Sequence, residues 1–503
     1  MTDAPARPVT PHHRRRPAGA RRLLLAAVLG ALLIALVAGV SPAWDHTDAA
    51  PAAPRTSRAL PFDLPAADTL RRSQHLVFAH YFTPYPLSLD NQPPDRDYYS
   101  RNYLRPDGEG GKHAAYGGLL RDRPAPRAPR RGNWRLADLE QEVRTARDAG
   151  LDGFTVDLLS LSGPNWQRVK LLLTAAHRVD PAFRIQLMPD MTALGADPAT
   201  LARALATLAA EPAAHRLGDG RLVVTPFKAE AHDPTWWRRV INSLAGQGIR
   251  TALVPLFLDL RGHAREFAPL SYGFSKWGNR SWTGQSGIPG DIRLAHGLGK
   301  KWMQPVSVQD ARPNQGVYDE AGNTATLRAS WGHAIDDGAD WVQLTTWNDY
   351  SEGSHFAPSL HNGASYLDLS SYYLTRFKTG HWPRIVRDTV YITARVQFAA
   401  AGTPQQRTMR PRHGTPKPRD TVEALTFLTA PADLATAVDR DRRTTRVPAG
   451  VHATLFPLRP GHTTAAIRRH ARTTTRVTTL YPVRPDPQTQ DLQYYAVSSR
   501  RDG

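Results

Sequence analysis

Hydrophobic and polar residues follow one rhythm from His75 to about Gly380, in which short aliphatic or β-branched runs alternate with longer stretches that carry apolar residues at helical spacing. The eight predicted strands are His75–Thr83, Leu151–Leu159, Phe183–Met191, Arg221–Glu230, Thr251–Leu260, Tyr272–Trp277, Lys301–Val308 and a run that begins at Asp340. Strict alternation of strand and helix predicts a parallel sheet, and eight units over roughly three hundred residues match an α/β fold of the (β/α)8 TIM-barrel type. No Gly-rich phosphate turn follows the first strand, so a nucleotide-binding sheet has no motif to support it.

The rhythm changes after Gly380, where polar and apolar residues alternate at a period of two and Thr, Val and Arg are frequent. This alternation is typical of half-buried strands and predicts a C-terminal β-sandwich accessory domain of roughly a hundred residues. We therefore expect a barrel domain over residues 73–383 and a β-rich accessory domain over residues 384–503. No group of aromatic residues falls on one predicted face, which favours packing support for the barrel over carbohydrate binding.

The beginning of the chain has the pattern of an export signal. Several arginines precede an unbroken apolar run, Leu23–Val40, and small residues follow it. This pattern predicts a signal peptide over residues 1–43, with an uncleaved membrane anchor as the alternative because the run is about long enough to span a bilayer. In both cases the rest of the chain is expected outside the cell, either secreted or anchored. Residues 44–72 are rich in Ala and Pro, which predicts a disordered linker.

Composition narrows the classes of function. The 503 residues include 64 basic and 45 acidic side chains, a net charge of +19 that could attract nucleic acid or anionic wall polymers. No zinc finger, aromatic RNA-binding motif or continuous basic helix is present, so no nucleic-acid partner is expected. The chain contains no cysteine, which excludes disulfides and Cys-ligated zinc.

Acidic residues recur at the ends of the predicted strands. In a barrel, active sites lie at the carboxyl ends of the strands, so these acids are expected to surround one mouth. Helix capping is an equally good explanation for Asp190 and Asp259, whereas Asp157 lies inside an apolar run and needs another reason. The acids at strand ends are Asp157, Asp190, Glu230, Asp259, Asp349 and Glu352.

The end of the eighth predicted strand has the richest chemistry. Two carboxylates and two aromatic rings fall within six positions, Trp347 to Glu352. Paired carboxylates can act as general acid and as base or nucleophile in glycoside hydrolysis, and aromatic rings provide apolar faces for sugars. Trp277, in a Gly/Asn-rich loop after the sixth strand, is a further candidate platform.

Two other chemistries compete with this hypothesis. The histidines His80, His232, His355 and His361 could join acids as metal ligands, but neither HExxH nor HxH spacing occurs, so no metal and no cofactor are expected. A histidine at a strand end, such as His80, is more often a hydrogen-bonding or structural residue. The GxSxG elbow of serine hydrolases is also absent.

The segment Trp347-Asn348-Asp349-Tyr350-Ser351-Glu352-Gly353 resembles the Trp-Asn-Asp-Tyr-x-Glu signature of glycoside hydrolase family 71, the endo-α-1,3-glucanases or mutanases. Three other segments resemble that family's strands in the same order, over about residues 75–380: Phe78-Ala79-His80-Tyr81-Phe82, residues 149–157, and residues 302–307. The family 99 endo-α-mannosidases have a similar acidic pair. After the seventh strand, residues 308–313 stand where family 71 usually has aromatic residues.

The resemblance implies a (β/α)8 hydrolase that acts with inversion on α-linked glucan, with Asp349 and Glu352 as the catalytic pair and Asp157 as a third essential acid. We favour Glu352 as the acid and Asp349 as the base. Further expected substrate contacts are Trp347, Asn348, Tyr350, His80, Tyr81, Asp190, Glu230 and Trp277. The expected partner is a polysaccharide, the expected state is a monomer, and membrane contact is expected only through the N-terminal segment. The alternatives are an endo-α-mannosidase-like hydrolase, a glycan-binding protein without turnover, and a basic protein that holds anionic wall polymer.

Overall fold

The computed structural model describes residues 60–470 and 472–499. The strands up to residue 344 are β1 (Leu76–Tyr81), β2 (Gly153–Leu158), β3 (Arg184–Pro189), β4 (Leu222–Val224), β5 (Thr251–Leu253), β6 (Leu256–Phe257), β7 (Gly273–Lys276), β8 (Lys301–Val306), β9 (Asp310–Arg312), β10 (Val317–Asp319) and β11 (Trp341–Leu344). The helices are α1 (Ala67–Leu70), α2 (Gly108–Gly111), α3 (Trp134–Asp148), α4 (Gly163–Val179), α5 (Pro198–Ala209), α6 (Pro234–Ala245), α7 (Leu260–Phe267), α8 (Ile288–Gly297), α9 (Ala325–Asp336) and α10 (Ser365–Thr379).

Nine of these strands form one parallel sheet in the order β5-β4-β3-β2-β1-β11-β8-β7-β6. The two ends of this order, β5 and β6, are the two halves of the predicted fifth strand, which is interrupted at Val254 and Pro255. On one side Val254 donates a hydrogen bond to the carbonyl of Val224 (2.8 Å), and on the other Tyr272 donates to the carbonyl of Leu253 (2.7 Å). The sheet is therefore curled, with helices outside it, and the fold is TIM-barrel-like.

The strands are buried on both faces, as parallel strands covered by helices are. At the amino ends of the strands, aromatic rings fill the centre of the sheet: Trp341 lies 6.2 Å from Phe78, 5.8 Å from His215 and 5.8 Å from Tyr272, between ring centroids. This packing closes the amino end. The loops that follow the strands lie at the opposite, carboxyl end, and active sites of such folds are found there.

Residues beyond α10 form β12 (Thr389–Ala394), β13 (Arg410–Pro411), β14 (Thr421–Leu428), β15 (Ala432–Val438), β16 (Asp441–Val447), β17 (Gly450–Pro457), β18 (Thr463–Arg469), β19 (Arg472–Thr478) and β20 (Tyr495–Ser498). Two four-stranded antiparallel sheets result, in the orders β17-β14-β12-β20 and β16-β15-β18-β19. Apolar residues of both sheets, among them Val390, Ile392, Leu434 and Ile467, share one cluster. This arrangement fits an accessory domain.

One short strand of the C-terminal part belongs to a different sheet. The hairpin β9–β10 leaves the barrel after β8, and β13 pairs with β10 to give a three-stranded sheet in the order β13-β10-β9. The segment that contains β13 therefore reaches the carboxyl end of the barrel.

The predicted linker over residues 44–72 ends earlier than expected. Phe62 and Leu70 are buried in the barrel's hydrophobic cluster, and Asp63 donates a backbone hydrogen bond to the carbonyl of Arg384 (3.0 Å). These two apolar side chains anchor residues 60–72 to the fold. The predicted signal or anchor over residues 1–43 lies outside the described residues. Within residues 60–470 and 472–499, no helix combines the length and apolarity needed to cross a membrane.

Candidate active site

A cleft of about 720 Å³ opens at the carboxyl ends of the barrel strands. Six of the sequence-predicted site residues line it: His80, Asp157, Asp190, Trp277, Asp349 and Glu352. They come from positions far apart in the sequence, and the parallel strands bring them to one mouth. The ring of acids expected from the strand ends is therefore present, although not every predicted member takes part.

The loop after β11 is held in place by one amide side chain. Asn348 Oδ1 accepts a hydrogen bond from the backbone N–H of Phe82 (2.7 Å), and its Nδ2 donates to the carbonyls of Phe82 (3.0 Å) and Tyr85 (2.8 Å). The backbone N–H of Trp347 also donates to the carbonyl of His80 (2.7 Å). These bonds fix the loop after β11 against the loop after β1, and Asp349 projects into the cleft.

Asp349 is a buried carboxylate, and one of its oxygens accepts three hydrogen bonds. Its Oδ1 accepts hydrogen bonds from the backbone N–H of Ser351 (2.9 Å), the hydroxyl of Ser351 (2.6 Å) and the backbone N–H of Glu352 (3.3 Å). Burial raises the pKa of Asp349 above its usual value, while these donors and Arg312 oppose that rise. The hydrogen bonds favour the ionised form.

The carboxyl group of Glu352 has fewer hydrogen-bond partners than that of Asp349. Its Oε1 lies 2.7 Å from Nη1 of Arg312, and its Oε2 is buried with no hydrogen-bond partner. Burial, followed by the negative charge of Asp349, raises the pKa of Glu352 to about 8, although Arg312 acts against the rise. Two neighbouring carboxyl groups with different environments are the arrangement that separates an acid from a base.

Asp157 and His80 form a second pair in the cleft. His80 Nε2 lies 3.7 Å from Asp157 Oδ2, and Asp157 is almost fully buried with Oδ1 unpartnered. Burial, reinforced by Asp190 and Asp349, raises the pKa of Asp157 well above its usual value. Burial, and then the charge of Arg280, lowers the pKa of His80 to about 3. Near neutral pH His80 is therefore uncharged, and burial favours the uncharged form of Asp157.

Trp277 lines the same cleft. Its ring packs edge-to-face with the rings of His80 and Phe227, each at 5.0 Å between centroids, and the guanidinium of Arg280 lies 4.8 Å from its centroid. Asp190 lines the same cleft and accepts hydrogen bonds from the backbone N–H (2.7 Å) and the hydroxyl (2.6 Å) of Thr192.

Five predicted substrate contacts lie elsewhere. The ring of Trp347 is fully buried and packs 5.0 Å from that of Phe154 in the barrel core. Tyr350 is buried, with its ring 4.3 Å from that of His355. Neither ring lines the cleft, because the turning loop directs both rings into the protein and Asp349 into the cleft.

The other three have structural partners. The hydroxyl of Tyr81 donates to Glu142 (2.8 Å) on α3, and Asn348 holds the loop as described. Glu230 Oε1 accepts hydrogen bonds from the backbone N–H groups of Leu258 (2.6 Å) and Asp259 (3.0 Å). Asp259, for its part, caps α7 through Gly262 (3.1 Å), as the capping explanation predicted.

Several charged residues in the cleft were not predicted. Arg312 makes two parallel bonds to Asp310 (2.7 and 2.6 Å) besides its contact with Glu352, and Arg412 lies 2.9 Å from Asp319 and 3.6 Å from Asp310. Residues 308–313 differ from the usual family 71 sequence, and the closely spaced charges Asp310 and Arg312 within them could have indicated a role in the cleft. Nothing in the sequence connected Arg412 to the barrel. Among the described residues, no group of three or more His, Asp or Glu side chains is arranged to hold a metal ion.

Comparison with known proteins identifies a family and a relative for this chain. The model described as glycosyl hydrolase family 71 matches residues 130–500. The ascus wall endo-1,3-alpha-glucanase of Schizosaccharomyces pombe is 26% identical over 247 residues, which are 45% of this chain and 55% of that protein. The chain thus spans about half the length of this relative.

Among solved structures, the GH99 endo-alpha-mannosidase from Bacteroides thetaiotaomicron aligns with 15% identity and a TM-score of 0.47, over 61% of this chain and 98% of that one. A glycosyl hydrolase family 2 member from Bacteroides cellulosilyticus DSM 14838 aligns with 9% identity and a TM-score of 0.39, over 69% of this chain and 43% of that one. The family match extends further toward the C-terminus than the resemblance over residues 75–380, and it includes the C-terminal sheets.

Proposed function

This chain belongs to glycosyl hydrolase family 71, and we propose that it is an endo-acting hydrolase of α-linked glucan, with α-1,3-glucan as its substrate. The observation that supports this most strongly is the pair Asp349 and Glu352, which face one cleft from the family's signature segment. The relative from Schizosaccharomyces pombe acts, by its name, on 1,3-alpha-glucan. An open cleft rather than a closed pocket suits cleavage within a long chain.

We assign Glu352 as the general acid and Asp349 as the general base. Glu352, with its pKa raised to about 8, holds a proton at neutral pH and can give it to the glycosidic oxygen as the bond breaks. Asp349 accepts three hydrogen bonds on one oxygen, which favour its ionised form, and as a carboxylate it can take a proton from the attacking water. Attack by water on the face opposite the leaving group inverts the anomeric centre.

Asp157 and His80 complete this site as neutral groups. A protonated Asp157 can donate a hydrogen bond to a sugar hydroxyl without adding negative charge beside Asp349. Trp277 provides a flat apolar surface for a sugar ring, since aromatic faces pack against the C–H groups of pyranoses.

The finer features of the protein are part of the same proposal. We take the curled sheet as a (β/α)8 barrel and the two C-terminal sheets as a β-sandwich. The protein acts outside the cell, secreted or anchored through residues 1–43, as a monomer on a polysaccharide and without nucleic acid. A target in a cell wall, as the relative's name describes for that protein, agrees with an extracellular enzyme.

Product analysis tests the proposal. The chain from residue 60 onward is incubated with α-1,3-glucan, α-1,4-glucan and α-mannan, beside Glu352→Gln. New reducing ends from α-1,3-glucan alone, absent with the variant, are the expected result, and NMR of the first products should show β-anomers. Release from mannan alone would assign the mannosidase alternative. Binding to glucan without release would assign a glycan-binding protein.

A further inference from the structure

Arg280 stands out among the residues of the cleft because a buried guanidinium is left partly unpartnered. Its side chain is 2% exposed and lines the cleft. Nη1 donates a hydrogen bond to the carbonyl of Thr345 (2.7 Å), whereas Nε and Nη2 are buried and have no partner in the structure. Buried N–H donors of a charged group without acceptors are strongly unfavourable. An oxygen atom from outside the protein, of a ligand or of a water molecule, would satisfy them.

The two unpartnered atoms form one edge of the guanidinium. Nε–H and one N–H of Nη2 point in parallel from the same side, which makes a fork for two neighbouring oxygen atoms. The opposite edge is fixed by Thr345, and the plane is fixed by its position over Trp277, 4.8 Å from the ring centroid. The fork is therefore held in one orientation before any ligand arrives.

The charges around the fork identify the ligand. Arg280 is close enough to His80 to lower the pKa of that imidazole, and Glu352 and Asp310 both act on the pKa of Arg280. An anionic group at the fork would be repelled by the carboxylates Asp310 and Asp319, which line the same cleft and act on the pKa of Arg280. Neutral hydroxyl or ether oxygens accept from the fork without that repulsion.

We propose that Arg280 is a specificity-determining residue, and that its Nε and Nη2 donate hydrogen bonds to two neighbouring oxygens of the sugar unit that binds beside Trp277 and Glu352. This inference rests on the proposed function and names a contact within that site. It also explains why a charged side chain is buried beside a neutral histidine: the charge is directed at substrate oxygens and at the carbonyl of Thr345.

The substitution Arg280→Lys separates this role from a structural one. A lysine keeps the positive charge and can still donate to Thr345, but it cannot present two parallel donors. Binding is measured by calorimetry in the Glu352→Gln background, so that the ligand stays intact, with oligosaccharides of α-1,3-linked glucose, α-1,4-linked glucose and α-linked mannose. The control is Arg135→Lys, because Arg135 also stacks on a tryptophan (4.3 Å from Trp134) but is exposed and outside the cleft.

The expected result is that Arg280→Lys weakens binding of the recognised oligosaccharide by about tenfold or more, the effect of two lost hydrogen bonds, with an unchanged melting temperature. Arg135→Lys should bind as the parent does. Equal affinity of Arg280→Lys and its parent would overturn the inference while leaving the proposed function intact. If the Glu352→Gln protein itself binds none of the three oligosaccharides, the proposed function fails and the inference falls with it.

Discussion

Nη1 of Arg312 lies 2.7 Å from Oε1 of Glu352, although the two residues belong to loops that follow different barrel strands. The guanidinium is also bound by Asp310, so that it is fixed rather than free to follow the carboxylate. A positive charge at this distance favours the ionised form of Glu352, yet burial and Asp349 keep its pKa raised. Arg312 therefore limits how far the pKa of Glu352, the proposed general acid, is raised.

The first prediction concerns the pH profile. Activity needs protonated Glu352, so kcat/KM should fall as pH rises through about 8. Arg312→Gln removes the charge that lowers the pKa of Glu352, and the alkaline limb should then move upward by roughly one pH unit. The profile is measured from pH 4 to 10 with soluble α-1,3-linked oligosaccharides. Arg203→Gln, on the surface of α5, should leave the limb in place. A downward shift for Arg312→Gln would contradict the assignment of Glu352 as the acid.

The second prediction is that the carboxyl group of Glu352 makes the free energy of unfolding depend on pH. Because its pKa is higher in the folded state than in the unfolded chain, the folded protein binds a proton between pH 4.5 and about 8 that the unfolded chain releases. The stability that this proton contributes is present at low pH and is lost as pH rises through about 8.

Glu352→Gln removes this titration. Its free energy of unfolding, measured in urea, should exceed that of the wild type increasingly from pH 5 to 8, by an amount on the order of a few kcal/mol at the upper end. The substitution Glu211→Gln, just after α5 and outside the cleft, serves as the control and should show no such trend. A constant difference across this pH range would mean that Glu352 titrates normally in the folded protein.

The strands and the acid pair could be predicted because both depend on local sequence. Apolar runs such as Leu151–Leu159 are long enough to indicate a buried strand, and Asp349 follows such a run directly. The interruption of the fifth strand at Val254 and Pro255 was not predicted, since a broken strand and a whole one have the same apolar pattern. Carboxyl ends of parallel strands meet at one edge, so the position of Asp157 near the pair followed from the fold class.

The orientation of side chains in the signature segment could not be predicted in this way. Trp347 and Asp349 are two positions apart, yet one is buried in the core and the other faces the cleft. The loop conformation that separates them is set by Asn348 and its bonds to Phe82 and Tyr85, which are remote in sequence. Arg412 was missed for the same reason, because its approach depends on the pairing of β13 with β10.

Asp157 provides the third prediction. Its carboxyl is expected to be neutral at pH 7, because burial raises its pKa well above the usual value. Asp157→Asn keeps the size, the neutrality and one donor, so kcat should fall by no more than about tenfold, whereas Asp157→Leu, which has no donor, should lose about a hundredfold or more. Both are assayed at pH 7 with circular dichroism as the check of folding. Equal inactivity of the two variants would show that an ionised Asp157 is required.

Two tryptophans should respond differently to substitution. Trp277 lines the cleft, so Trp277→Ala should raise KM by about tenfold or more through the loss of an aromatic surface. Trp347 is buried in the core, so Trp347→Phe should lower the free energy of unfolding by about 1–3 kcal/mol and leave KM unchanged. Glu230→Gln, which keeps the acceptor for Leu258 and Asp259, should also leave KM unchanged. An increase in KM for Trp347→Phe would restore it as a sugar contact.

The last prediction concerns the dependence of the barrel on the C-terminal part of the chain. Glu320, just after β10, and Arg395, just after β12, form an ion pair in which both side chains are almost fully buried. The hydroxyl of Tyr494 also donates to Glu320 (2.6 Å), and Asn323 donates to the carbonyl of Thr393 (2.8 Å). A charge buried in this way depends on its partner from the other part of the chain.

Replacing only one member of the pair should therefore lower the free energy of unfolding strongly. Arg395→Met leaves Glu320 buried without its cation and should lower the free energy of unfolding by about 3–5 kcal/mol. The double variant Glu320→Gln/Arg395→Met has no buried charge at position 320, and its glutamine can keep the bond from Tyr494, so its loss should be smaller than that of Arg395→Met alone. Urea denaturation of the wild type, both single variants and the double variant gives the coupling energy.

A chain that ends at residue 383 would lose Arg395 and Tyr494 together, and it would also lose Arg412 from the cleft. We expect it to be insoluble or unfolded rather than an active barrel, whereas a C-terminal part that only supports carbohydrate binding could be removed with activity preserved. The Glu320→Gln version of the shortened chain removes the buried charge and separates the electrostatic cause from the loss of packing. Recovery of a folded barrel by that substitution would show that the ion pair, rather than the apolar contacts, makes the two parts inseparable.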